Sequence, residues 1–582
     1  MYNRCMAASL KRIPLAIILL LFFVFSFSFR TDFSFDQDLG RHIKLGEIIA
    51  TTGQVPKTNL FSYTNPDFPF INHHYLFEIL LFYGKQSIGL GAILWIKIAL
   101  LLVSLGLVLS VIPRSSYLLV LPIGFIFLHT LRDRVELRPE ILSFLFTALT
   151  YFILTRFENT KSKLVYILPV IQFLWVNTHI YFPVGFILQG IFLVHFLSKK
   201  DFSRFKILLG VCLLSPLVSL LNPNTFKGLI YPLQVFGNYG YTIAENQSMF
   251  LLESLNFKDP DYLFVKLSIL IAVISLAVSL VRRNFSLKNS LLVSAGIILA
   301  LANVRSFPYL ALITLPAAVL NFGTIKKSWI TISIAGLTIA ILLFESFIYL
   351  DGDYYRYSDK NTLPKIEYRA QVQKAMDFVL DHNLPQPIFN NFDIGSYIIY
   401  RGFPRYKVFV DGRPEAYPAS FFQKIYIPMQ ESPENFAEAD KHYNFQTIIF
   451  SHTDQTPWAK TFFSFITKDP RWKVVYLDDF MIILVKDEAA QRLGLKAIDL
   501  DQIKPDDYSF DNHLSYLRTS IFLFNTENLN SAKAFDEKAL SLFPDSPVGN
   551  LVMANLANTQ NSIFVPPTIQ KYLEKSKNPY WW

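Results

Sequence analysis

The sequence predicts a polytopic α-helical membrane domain, then a small extracytoplasmic α/β domain and a short C-terminal helical segment. Three observations predict it. The 582 residues are 52% hydrophobic and only 17% charged, with a mean hydropathy of +0.33, too apolar for a soluble chain of this length. The apolar runs are confined to residues 13 to about 350, after which the composition becomes that of an ordinary globular chain. Basic residues also recur in alternate connections between those runs. The resulting divisions are a membrane domain over 1–350, an α/β domain over 351–500 and a helical region over 501–582.

The apolar runs read as about eleven spans, near 13–30, 91–112, 117–131, 139–155, 164–177, 180–197, 205–221, 262–281, 289–303, 306–321 and 329–350. Several are shorter than the roughly 20 residues that a perpendicular helix needs. Cytoplasmic loops are enriched in Lys and Arg. With Arg4, Lys11 and Arg12 inside, the other cytoplasmic connections hold Arg114; Arg156, Lys161 and Lys163; Lys199, Lys200, Arg204 and Lys206; Arg282, Arg283 and Lys288; and Lys326 and Lys327. An odd number of spans then places residues 351–582 outside the cytoplasm. The net charge of +9 is largely topological and calls for no nucleic acid. The first run is longer than a signal-peptide core and lacks a small-x-small cleavage site, so an anchor is expected. Cys5 and Cys212 fall in the cytoplasmic tail and a span and form no disulfide framework.

The first external loop, 30–88, opens with Asp36 and Asp38. Two acids one residue apart at a membrane surface are costly unless a cation, a proton or a substrate hydroxyl uses them. Residues 39–49 mix apolar and charged positions as an interfacial helix would, and Gly53 stops it. Asp38 is placed to cap that helix. Asp36 has no such structural use and is the better candidate base. Residues 56–66 read as an extended, turn-rich stretch, and 74–83 as an apolar helix. His73 and His74, being adjacent, do not make the i, i+4 pair of a helical metal site; contacts to sugar or phosphate are one reading, interface histidines without a role the other.

Arg132, Arg134 and Arg138 in the second external loop, and Arg305 in the fifth, run against the charge bias. Two readings stay open: binding of an anionic headgroup by arginine forks, or internal pairing with Asp133, Glu136 and Glu140.

Several stretches resemble one known group. Asp36-Gln37-Asp38-Leu39-Gly40-Arg41-His42 is similar to an Asp-x-Asp-Leu-aromatic-aromatic-His opening, and Pro56-x-Thr58-x-x-Phe61-Ser62-Tyr63-Thr64 to the loop that follows it. The stretches around His74, Leu76 and Glu78, Arg138-Pro139-Glu140, Trp175-Val176-Asn177-Thr178-His179, Asn222-Pro223 with Gly228, and Arg305-x-x-Pro308-Tyr309 resemble later signatures. The group is the GT-C superfamily of integral-membrane glycosyltransferases, in particular bacterial and archaeal proteins with an RgtA/B/C/D-like or mannosyltransferase-like membrane domain. The likeness covers roughly 13–350 and extends through Asn390 to Pro418. Gly40-Arg41 departs from the usual aromatic pair, and Ile180 stands where a small residue is usual.

The resemblance implies an inverting transferase that moves a sugar from a polyprenyl-phosphate-linked donor to a glycan, lipid or protein acceptor at the outer membrane face. Asp36, with Asp38, would be catalytic. Arg132, Arg134, Arg138 and Arg305 would supply the donor phosphate site. His42, His73, His74, Glu78, Asn177, His179 and Glu245 would line the sugar and acceptor site. Some branches use a divalent cation, Mg or Mn, which Asp36 and Asp38 would hold. The implied setting is a multi-pass protein of the plasma membrane. The alternatives are a transporter or flippase of lipid-linked glycans and an inactive scaffold of the same fold. A proton-coupled transporter needs acids at depth, and among the predicted spans Glu345 is the main one.

In the external region, 351–370 reads as a linker. Strands are expected at Ile388–Asn390, Lys407–Val410, 447–450, 473–477 and 481–485, with a helix over 394–400. Asp411, Arg413 and Glu415 follow a strand's carboxyl end, a place for a ligand or for a salt-bridged turn. Ala532, Ala534, Ala539-Leu540 and Phe543-Pro544 resemble one tetratricopeptide-type unit, fewer than a solenoid needs, so this unit is expected to pack on the α/β domain. The terminal Tyr580-Trp581-Trp582 could touch the membrane interface.

Overall fold

A computed structural model of the chain describes residues 14–234, 237, 239–255, 259–323, 328–355, 365–366, 369–510 and 512–560, with the side chains of 35, 36 and 558–560 outside that set. The N-terminal basic residues, Lys326 and Lys327, most of the expected linker and the aromatic C-terminus lie outside the described residues.

The membrane domain is built from α1 (Leu15–Ser28), α2 (Gly40–Thr52), α3 (Tyr75–Ser110), α4 (Tyr117–Leu128), α5 (Glu140–Thr160), α6 (Leu168–Val176), α7 (Pro183–Ser198), α8 (Phe202–Ser219), α9 (Pro260–Val281), α10 (Leu287–Ala302), α11 (Leu315–Phe322) and α12 (Trp329–Asp351). Each predicted apolar segment coincides with one of these, and α2 falls where a helix is expected over 39–49. Seven helical stretches are long and apolar enough to cross a membrane; α1, α7, α10 and the stretch Lys163–Val176 are shorter. On α12, Trp329, Leu337 and Phe344 are 78%, 63% and 67% exposed, a belt that only lipid would cover. The chain is a multi-pass membrane protein.

The interior of this domain is dense with aromatic and aliphatic side chains, among them Phe23, Phe27, Leu105, Trp175 and Tyr309. Helix α3 bends at Gly89, where φ is 78° and ψ is 164°, values a residue with a Cβ rarely adopts. The bend separates the Tyr75 end, which packs against α2, from the apolar run after it. Polar contacts in the interior link separate helices of the domain. Lys97 holds Asp32 at 3.1 Å, where the Leu137 N–H also donates to the carboxylate. Glu345 is engaged by His129 at 2.9 Å and by the Tyr349 hydroxyl at 2.6 Å. The acid on which a transporter reading leans is thus occupied by side chains of the domain itself.

The α/β domain begins with α13 (Ala370–Asp381), followed by β1 (Ile388–Asn390), α14 (Gly395–Gly402), α15 (Pro433–Tyr443), β2 (Thr447–Ser451), α16 (Pro457–Ile466), β3 (Trp472–Leu477) and β4 (Met481–Lys486). The sheet order is β1-β2-β4-β3, with β1 and β2 parallel and the other pairs antiparallel. Its period of two divides the side chains cleanly. Phe389, Ile448, Phe450, Ile482 and Leu484 enter an aromatic core with Phe409, Phe436, Phe445 and Phe462. Ile388, Ile449, Ile483 and Val485 enter a different core, which also holds Leu39, Ile43, Phe61 and Leu94. One sheet face therefore shares its core with the first loop, and this docks the domain on the membrane helices.

Lys407–Val410 is not a strand of this sheet, contrary to expectation. The segment is extended and bridges to the first loop: the Val408 N–H donates to Phe61 O at 3.1 Å, and the Tyr63 N–H donates to Val408 O at 3.2 Å. The Asn390 side chain occupies its other side, accepting from the Phe409 N–H at 2.9 Å and donating to Val410 O at 2.8 Å. Helices α17 (His513–Asn525), α18 (Leu529–Leu542) and α19 (Pro547–Gln560) follow. Phe522, Leu523 and Phe535 join the aromatic core of the sheet, so the helical segment packs on the α/β domain.

Candidate functional site

All five connections expected on the outer side meet the α/β domain around one polar cavity. The first contributes Asp38, Arg41, His42, His73 and His74; the second Arg134, Arg138 and Glu140; the third His179 and Ile180; the fourth Tyr231, Tyr239, Ile243 and Asn246; the fifth Arg305. Gly412, Pro414 and Glu415 complete it from the α/β domain.

The domain is held over the cavity by a buried pair. Arg413 forks onto Asp411 through Nε and Nη2 with bonds of 2.7 and 2.8 Å, and the same Nη2 also donates to Asn59 Oδ1 at 2.8 Å. The Tyr417 hydroxyl adds a 3.0 Å bond to Asp411. Phe61 and Phe70 of the first loop lie against the guanidinium, with ring centroids at 5.2 and 4.7 Å. Burial opposes charge on Asp411, but the Arg413 guanidinium outweighs it and holds the carboxyl below its usual range. Of the two readings left open, Asp411 and Arg413 form the salt-bridged turn, while Glu415 faces the cavity. Gly395 permits the approach: a Cβ there would lie 2.5 Å from Val410 O.

Asp36 and Asp38 lie in a π-helical turn, Phe35–Leu39, that leads into α2. The side chain of Asp36 lies outside the described residues. Asp38 makes no cap to α2; its Oδ1 instead accepts from Arg41 at 3.0 Å, with Arg138 3.9 Å from Oδ2. Burial disfavours its charge, but Arg138 and Arg41 pull its carboxyl below the usual value, so it stands ionised.

Three of the four arginines converge on one carboxylate. Glu245 is 2.9 Å from Arg134 and 2.9 Å from Arg138, and it accepts from Arg305 Nε at 3.0 Å. Burial would raise Glu245, but the three guanidiniums hold it well below its usual value. Glu245, expected as a sugar ligand, is in this arrangement the anchor of the arginine cluster. Arg305 alone among them has a substantially exposed side chain, 32%. Its terminal nitrogens carry no hydrogen bond among the described residues. Arg305 lines both the polar cavity and an apolar groove of about 200 Å³ formed by Ile180, Tyr181, Val184, Ile187, Leu233 and Leu299.

Arg132 is corrected. It lies outside the cavity, buried, paired with Asp261 and bonded to the Tyr349 hydroxyl at 3.0 Å. The cause is the 3-10 turn His129–Arg134: with three residues per turn, side chains two apart stand about 240° apart around the axis, so Arg132 and Arg134 face different neighbours. Asn177 is also corrected, since its amide is turned inward to Phe173 O and Leu221 O at 2.8 and 3.1 Å. Glu78 does not line the cavity either: it accepts from His42 Nδ1 at 2.9 Å and from Asn72 at 2.6 Å, which fixes the His42 ring.

The remaining histidines form one wall. His73 and His74 are 4.0 Å apart by ring centroid, and His74 stacks on His179 at 5.5 Å. His73 Nδ1 donates to Ile71 O and His74 Nδ1 to Thr178 O, each at 3.1 Å. A carbonyl only accepts, so Nδ1 carries the proton and Nε2 is left as an acceptor. Burial holds His73 down to about 4 and keeps His74 and His179 well below the usual imidazole value. The wall is neutral at physiological pH and offers hydrogen bonds without charge.

Tyr239, Ile243 and Gly412 were not among the expected site residues. They reach the cavity only through long-range packing, which no local pattern encodes. As for a metal, both described oxygens of Asp38 face arginine nitrogens, and Glu245 is held by three more, so these carboxylates do not fit a hard cation. The described acids that cluster are Asp133, Asp259 and Asp261, whose ligand atoms lie within 4.8 Å of one another. None lines the cavity, and Asp261 already pairs with Arg132.

No protein-family model and no curated protein matches the chain. Among solved structures, the oligosaccharyltransferase AglB from Archaeoglobus fulgidus, in complex with an inhibitory peptide and a dolichol-phosphate, superposes with a TM-score of 0.52 at 11% identity, over 79% of this chain and 72% of that one. Its apo form gives 0.52 at 11% identity, over 80% and 73%. ArnT from Cupriavidus metallidurans bound to undecaprenyl phosphate overlaps with a TM-score of 0.34 at 13% identity, over 80% of this chain and 96% of that one. The chain shares its fold, the GT-C fold, with AglB.

Proposed function

We propose that the chain is an inverting glycosyltransferase that moves a sugar from a polyprenyl-phosphate-linked donor to an acceptor, on the membrane side that carries the α/β domain. By the charge bias of the loops, that side is the outer face. The observation that carries the reading is the position of Arg305: it lines both an apolar groove and a cavity that also contains Asp38, and its terminal nitrogens carry no hydrogen bond among the described residues. A polyprenyl chain would occupy the groove, its phosphate would meet Arg305, and its sugar would extend into the cavity. The fold neighbour AglB carries a ligand of that class, a dolichol-phosphate.

The acceptor hydroxyl oxygen bonds to the anomeric carbon as the bond from that carbon to the donor phosphate breaks. The bonding pair leaves with the phosphate, and the hydroxyl proton passes to a first-loop carboxylate. Asp36 is assigned as that base. Asp38, kept ionised by Arg41 and Arg138, orients the loop. Arg305, with Arg134 and Arg138 aligned behind it by Glu245, stabilises the charge that develops on the leaving phosphate. The neutral wall of His73, His74 and His179 accepts hydrogen bonds from sugar hydroxyls, and Glu78 keeps His42 in register. The purified chain, supplied with a panel of polyprenyl-phosphate sugars and crude envelope acceptors, should transfer label, and Asp36→Asn should abolish transfer. Full activity in that variant would remove Asp36 as the base.

A further inference from the structure

A second cavity, of about 260 Å³, adjoins the first and shares Asp38, Arg138, Ile243, Arg305 and Gly412 with it. Its far side comes from the turn between β1 and α14 and from the fourth loop. There Asp393 stands beside Phe392, whose ring stacks on Tyr241 at 4.4 Å and 20°. Asp393 is exposed and yet surrounded by protein, as a side chain facing a cavity would be. Burial, then Asp454 and Asp38, raise its carboxyl to about 7.

The neighbouring acids are already engaged. Asp454 accepts from the Thr456 N–H and hydroxyl and from Asn391. Glu245 is held by arginines and Asp38 by Arg41. Asp393 has no hydrogen-bond partner among the described residues. Phe392 is buried behind Tyr241, whose half-buried ring lines the cavity with Asp393; a carboxyl without a partner beside such a ring is a combination that holds a sugar, with the open part of the ring meeting C–H groups and the carboxyl a hydroxyl. Arg138 and Arg305 in the same walls disfavour a cationic guest.

We infer that this second cavity is the acceptor site, that the acceptor is a glycan, and that Asp393 binds one of its non-reacting hydroxyls. The inference rests on the transferase reading, to which it adds the acceptor class. Asp38 lies in the walls shared by the two cavities, so an acceptor here would meet the donor sugar across the first-loop turn. The α/β domain would then be part of the active site.

The test uses the full chain in nanodiscs and, as probe, a soluble glycan fraction released from the envelope of the producing cells. Saturation-transfer NMR should show sugar-proton signals with the wild type, weak or none with Asp393→Ala, and recovery with Asp393→Glu. In transfer assays Asp393→Ala should raise the acceptor KM about tenfold, the effect of one lost hydrogen bond to a carboxylate, with a smaller change in kcat. Glycan binding that depends on Asp393 without any transfer by the wild type would leave a glycan site but overturn its assignment as an acceptor site, together with the transferase reading. Transfer by Asp393→Ala with an unchanged acceptor KM, transfer to a peptide acceptor instead, or no glycan signal from the wild type would each overturn the inference; the two outcomes with transfer would leave the transferase reading standing.

Discussion

Replacing Arg305 by Gln separates phosphate binding from folding. Its Nε is tied to Glu245 at 3.0 Å, its side chain is 32% exposed, and the residue lines both the cavity and the groove. A partly exposed pair of this kind contributes roughly 0–1 kcal/mol to stability, so melting in detergent should move little. A hydrogen bond to a charged group is worth about 1.5–3 kcal/mol. At about 1.4 kcal/mol per tenfold, kcat/KM for a polyprenyl-phosphate sugar should fall about 10- to 150-fold. Arg305→Lys keeps the charge and loses the fork, and should fall between. The assay is donor titration at saturating acceptor, with melting recorded on the same preparations. An Arg305→Gln variant with the wild-type donor dependence would refute the assignment of the groove and its phosphate site.

Arg132→Met should behave in the opposite way: its buried pairing with Asp261 makes it structural, so the melting temperature should fall while the donor KM stays near wild type, and a donor KM that rises as for Arg305 would contradict its placement. Arg413→Met leaves Asp411 buried without its partner, where side-chain exposures are 1% and 0%; a loss of about 3–5 kcal/mol is expected, read as a lower melting temperature. Acid should also destabilise the protein through the histidine wall. His73 titrates at about 4 when folded and near 6.5 when unfolded, so below about 6.5 the unfolded chain binds more protons, and stability should fall as pH drops from about 6.5 towards 4. A melting temperature that is flat across that window in the wild type, or that still falls as steeply in His73→Gln, would show that this ring is not the group responsible.

The membrane architecture was largely legible because burial in lipid writes itself into composition. Runs such as 262–281 and 329–350 have few other uses, and the basic connections mark one side. The sheet strands were legible by their short apolar runs, but Lys407–Val410 was misread: its pattern fits a strand equally well whether it joins the sheet or, as here, bridges to Ser62 in the first loop. Grouping the arginines on the side of the α/β domain was within reach of the charge bias; separating Arg132 from Arg134 required the 3-10 turn, which the sequence does not announce. Glu245 shows the deeper limit. Its three partners come from two other loops, and only the folded chain reveals that an acid expected to meet sugar instead aligns guanidiniums. Asp393 and Tyr239 are of the same kind: Asp38 and Glu415, which they respectively meet at the cavities, lie more than a hundred positions away.

The most direct measurement is sugar transfer by the purified full-length chain from radiolabelled polyprenyl-phosphate sugars to an envelope acceptor fraction, with Asp36→Asn and Arg305→Gln in parallel. The account predicts label in the acceptor fraction with the wild type, none with Asp36→Asn and a reduced rate with Arg305→Gln. No transfer from any donor by a well-folded wild-type chain, or equal transfer by Asp36→Asn, would contradict it.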